Sequence, residues 1–82
     1  MAGAAIPIQV ECLIERPGGE EVPCRIWFGR RQVTVTTLVD RWLAPDHRYF
    51  KLLGDDRATY LIRHDVPGNR WELILYEAGN VP

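Results

Sequence analysis

The chain has 82 residues, ten of them basic and eleven acidic, for a formal net charge of −1. A chain this short has too little interior for two cores, so it makes a single domain in which nearly every large apolar side chain shares one core. The charges are spread along the chain, which argues against a general phosphate-backbone binder, because such proteins concentrate Lys and Arg.

No segment approaches the roughly 20 apolar residues that span a membrane. Met1 to Pro7 lacks the charged and apolar regions of a signal peptide, so the expected location is cytoplasmic. Nine of the ten basic residues are Arg, and Lys51 is the only lysine. The planar guanidinium fork recognises carboxylates and phosphates, although a solvated sheet face with cross-strand ion pairs is its commoner use.

In chain order, Ile6, Ile8, Val10, Cys12 and Ile14 alternate with Pro7, Gln9, Glu11, Leu13 and Glu15. That period of two predicts a strand from about Ile8 to Glu15 with one buried face. Arg16-Pro17-Gly18-Gly19-Glu20 supplies turn chemistry. Val22, Cys24, Ile26 and Phe28 resume the alternation as a second strand, and Pro23 is expected at an edge or strand start because it cannot donate to a ladder. Trp27 falls on the opposite face, either covering an open barrel end or standing as an exposed contact.

Gly29-Arg30 turns the chain into a long third strand. Val33, Val35 and Thr37 share one parity, whereas Leu38, Asp40 and Trp42 share the other. A change of parity without Gly or Pro predicts a bulge or sharp bend near Thr36-Thr37, since one extra residue exchanges the faces. A short helix over Leu38 to Leu43 is the competing reading. Leu43 to His47 is a loop, Arg48 to Leu53 a strand, Gly54-Asp55-Asp56 a hairpin turn and Ala58 to His64 a strand. Asp65 to Asn69 turns the chain into Trp71 to Tyr76, with Trp71, Leu73 and Leu75 on one face.

The connections are short, so each strand pairs with the next. The predicted fold is all-β: a single small antiparallel meander of five or six strands, curled into an SH3-like barrel or a strongly bent sheet. The ordered core spans about residues 6–77, with residues 1–5 and 78–82 flexible.

The segments Gly29-Arg30-Arg31-x-Val33-x-Val35, Val39-Asp40-Arg41-Trp42, Asp46 to Lys51, Tyr60 to Asp65 and Trp71-Glu72-Leu73 occur in that order. Together they resemble a family of small bacterial proteins of unknown function, across roughly residues 23 to 76. The resemblance implies a bacterial cytoplasmic protein with no assigned activity. A looser likeness, through the Gly-Arg-Arg and Asp-Arg-Trp segments, runs to small domains associated with bacterial DNA-repair polymerases. The first strand lies outside both.

Cys12 and Cys24 lack a metal-knuckle or redox spacing and fit reduced thiols. A three-residue Pro17-Gly18-Gly19 loop would set them directly opposite each other, which keeps a disulfide open. The chain contains no Ser, which removes a serine triad. His47 beside Asp46 and His64 beside Asp65 read as turn hydrogen-bonding groups rather than catalysts or zinc ligands, even though antiparallel order brings the two histidines near each other. No catalytic residue, metal or cofactor is expected. Binding is the favoured class, through Trp27, Arg41, Trp42, Tyr49, Arg63 and His64, because Arg beside aromatics is the composition of interaction hot spots. The structural alternative places Trp42 and Trp71 in the core, with ion pairs at Asp40-Arg41 and Arg63-Asp65. The expected partner is a protein or peptide, met at a groove or edge strand, with the chain a monomer or an edge-strand dimer. Single-stranded nucleic acid is the second class.

Overall fold

The computed structural model describes residues 6–14 and 21–79. The predicted turn at Arg16 to Glu20, residues 1–5 and residues 80–82 lie outside them. Six strands follow one another: β1 (Ile6–Ile14), β2 (Glu21–Phe28), β3 (Arg31–Leu43), β4 (His47–Gly54), β5 (Thr59–Asp65) and β6 (Arg70–Glu77). Each pairs antiparallel with the next, and β1 pairs with β6, so the meander closes into an SH3-like barrel. No helix among the described residues is long and apolar enough to cross a membrane.

Alternation in sequence becomes alternation in burial. Ile8, Ile26, Val33, Phe50, Leu52, Tyr60 and Ile62 face inward and form the core with Ala58, while Trp71 and Leu73 pack against it. Gly29 links β2 to β3 with a φ of +58°. A positive φ at the first central residue of a two-residue hairpin loop is what Gly permits without a steric penalty. Gly54 is required for a different reason, because a Cβ there would stand 2.6 Å from the Val33 side chain and 2.6 Å from Asp56 Oδ1.

Bulges do the bending. Along β3, Val35 faces Gly54 but Thr37 faces Leu53, so Thr36 is supernumerary; Leu38 faces Leu52 but Asp40 faces Lys51, so Val39 is a second extra residue. The bend expected near Thr36-Thr37 is therefore present, and Leu38 to Leu43 is strand rather than helix. Because of the second bulge, Leu38 points inward while Asp40 and Trp42 point outward, so these three do not share a face as their spacing suggested. The first part of β3 pairs with β2 and the rest with β4, which is how one strand serves two sides of a small barrel.

Two further bulges were not anticipated. Glu11 faces Arg25 while Cys12 faces Pro23, leaving Cys24 as the extra residue. Cys24 is thus displaced from the position opposite Cys12, its thiol donates to the Glu11 carbonyl at 3.3 Å, and both cysteines are free. The same shift turns the Pro23 side chain into the core, while its backbone holds the edge position near the strand start that was expected of it. Its missing donor is tolerated because β2 pairs with β3 only from Arg25 onward, so the strand is locally unpaired on that side. In β6, Leu61 faces Leu75 but Ile62 faces Leu73, so Ile74 is extra. Leu75 consequently turns outward, away from Trp71 and Leu73, and Tyr76 turns toward Tyr60, with ring centroids 5.2 Å apart.

Candidate functional site

The outer face of β3 to β6 collects the side chains with most to offer a partner. Directly facing residues on antiparallel strands point to the same side, so pairing alone sets the rows. Trp42 faces Tyr49, Tyr49 faces Arg63, and Arg63 faces Glu72. The adjoining row runs Asp40, Lys51, Leu61, Leu75. Trp42 is 49% exposed and Leu75 58%. With Lys51, Thr59, Leu61 and Glu77 they line a shallow hollow of about 160 Å³.

Arg63 holds this face in shape. Its Nε and Nη2 both donate to Glu72 Oε1, at 3.1 and 2.6 Å. Glu72 first and then the Tyr49 hydroxyl hold the guanidinium still more firmly protonated than usual. Asp65, expected to pair with Arg63, instead accepts from Arg70 at 3.0 Å. Trp42, expected in the core under the structural alternative, is on the surface, whereas Trp71 does pack on the core.

The structure thus brings together three of the six sequence candidates, Trp42, Tyr49 and Arg63. Arg41 faces the buried Phe50 and so has the opposite parity; its backbone amide donates to Asp40 at 2.8 Å. Trp27 is half-buried between Gln9 and Gln32, at the other end of β3 from Trp42. His64 is buried, its ring stacked on Trp71 at 4.1 Å and its Nε2 3.1 Å from Asn69 Oδ1. Leu75 and Leu61 were missed as site residues, and for Leu75 only the Ile74 bulge reveals the outward turn.

His47 pairs with Asp65 and His64 with Arg48, so the histidines are neighbours along the ladder but project from opposite faces. His47 Nδ1 lies 3.3 Å from Asp46 Oδ1. Among the described residues no three metal-ligating side chains converge.

A larger cleft of about 650 Å³ opens where β1 diverges from β6, and His64 and Cys12 both line it. A thiol beside an imidazole is the start of a nucleophilic pair only if the thiolate is accessible. Here burial first, then the carboxylates of Glu21 and Glu11, push the Cys12 thiol up to about 12. The His64 Nε2 is meanwhile engaged by Asn69. No protein-family model, curated protein or solved structure matches the chain.

Proposed function

We propose that the protein is a non-catalytic binding module that holds a protein or peptide partner against the outer face of β3 to β6. The observation that carries this reading is the row Trp42-Tyr49-Arg63 beside the exposed Leu75, an aromatic and apolar patch with charge at its margins. A protonated, partly buried Cys12 and an engaged His64 support the absence of cysteine chemistry. Glu72, Glu77 and Asp40 on the same face weigh against nucleic acid, since they would meet its phosphates with like charge. On the family resemblance across residues 23 to 76, we take the protein to be bacterial and cytoplasmic.

The test is capture from a bacterial lysate by the wild-type chain and by a Trp42→Ala/Leu75→Ser variant, with and without nuclease. The expected outcome is a protein retained by the wild type alone, insensitive to nuclease and only weakly sensitive to salt. Equal capture by both, or capture abolished by nuclease, would sink the reading.

A further inference from the structure

Beyond Ile8 the two sides of β1 differ. One side remains paired with β2 as far as Ile14, whereas the ladder to β6 ends at the pair Ile8-Trp71. Among the described residues, Gln9 to Ile14 therefore present a backbone edge with no strand beside it. The cleft lies along this edge, with Gln9, Val10 and Cys12 on one wall and Asn69 and Trp71 on the other. Edges that must stay solitary carry Pro, Lys or inward charges. This one, Gln-Val-Glu-Cys-Leu-Ile, carries neither Pro nor Lys and ends in Leu13 and Ile14, 59% and 60% exposed.

We infer that this edge pairs with the same edge of a second copy, antiparallel, with Cys12 on the two-fold axis. The argument is one of register. A two-fold axis through a pair of neighbouring strands opposes residues that share a face, so it passes through a single residue position. Centred on Glu11, the pairing would set two carboxylates against each other, which destabilises. Centred on Val10, it would need Ile8, whose edge β6 already occupies. Centred on Leu13, only Cys12 to Ile14 would overlap within the described edge.

Centring on Cys12 avoids all three faults. Val10 then faces Ile14 of the second copy on the inner side, and Glu11 faces Leu13 of the second copy on the outer side, with no like charges opposed. The two β1-β2 hairpins become one four-stranded sheet, and Leu13 and Ile14 leave water.

Sedimentation equilibrium over a wide concentration range tests this, with Leu13 replaced by Lys or by Glu. Leu13 is exposed, and a thermal melt of each variant checks that it folds. In the inferred register Leu13→Lys places an ammonium opposite Glu11 of the second copy, twice per dimer, whereas Leu13→Glu places a carboxylate there. The expected result is a dimeric wild type and a dimer at least about tenfold tighter with Lys than with Glu, while Ile14→Lys yields monomer. A wild type that stays monomeric overturns the inference. So does a dimer indifferent to the charge at Leu13, because it would be built on another face or register.

Discussion

Tyr60 is almost wholly buried, yet its hydroxyl is satisfied by donating to Asp56 Oδ2 at 2.5 Å, while Arg31 reaches the same oxygen at 2.8 Å and the Ala58 amide donates to Oδ1 at 3.0 Å. Burial, then the bond to Asp56, raises the Tyr60 hydroxyl well above the usual tyrosine range. An unfolded tyrosine ionises near pH 10. Above that value the unfolded chain binds fewer protons than the folded one, so this contribution is lost as pH rises. For Asp56, burial acts upward, but the Tyr60 hydroxyl, the Ala58 amide and Arg31 outweigh it and lower its pKa. Its contribution is present above the unfolded value of 3.8 and is lost as pH falls through the folded value. Tyr60→Phe is expected to cost about 2 kcal/mol in urea denaturation near neutral pH, and to lessen the alkaline decline above about pH 10. Cys12 offers a second check at this scale. In a Cys24→Ala protein, iodoacetamide near neutral pH should label it at least about a hundredfold more slowly when folded than in denaturant, because the thiolate is scarce in the fold.

Among the elements, the two glycines that shape the turns fail for different reasons when replaced. Gly29→Ala meets nothing within 4 Å, so only its φ of +58° is costly, and a loss of about 1 kcal/mol is expected. Gly54→Ala drives a methyl into Val33 and Asp56, and thermal melts should show a larger loss, about 2 to 3 kcal/mol. The same physics separates what sequence reveals from what it hides. The bend in β3 was legible because Val33 and Val35 establish a rhythm that Leu38 breaks. The bulge at Ile74 was not, because Leu73-Ile74-Leu75 is apolar at every position and contains no alternation to interrupt. The bulge at Cys24 was hidden because Pro23, an edge marker that does sit at the unpaired start of β2, gives no sign that the residue after it is extra. The pairing of Tyr49 with Arg63 on one face was legible from strand order alone. The outward turn of Trp42 depends on Val39, whose role as an extra residue has no local signal.

For the whole molecule, closure rests on Ile6, Pro7 and Ile8 against Trp71, Glu72 and Leu73, and Pro7 has no amide hydrogen to give. The β4-β5 ladder, by contrast, runs unbroken from His47-Asp65 to Leu53-Thr59 and carries Phe50, Leu52, Tyr60 and Ile62. Amide hydrogen exchange should therefore be slowest at those four residues and faster at Ile6, Ile8 and Leu73, with the barrel opening first between β1 and β6. Equal protection at both places would contradict this. Inside and outside are thus decided separately: the core follows from which residues alternate, whereas the make-up of the outer face depends on where the count slips. Ile74 is the clearest instance. Were Ile74 to pair with Leu61 instead of standing outside the ladder, Leu75 would turn inward and Tyr76 outward. Were it deleted, Leu73 and Leu75 would become neighbours with Leu75 still opposite Leu61, so the outer patch tolerates a missing residue here but not an unbulged one. A relative one residue shorter here would keep both the barrel and the patch, on a β6 without the local bend.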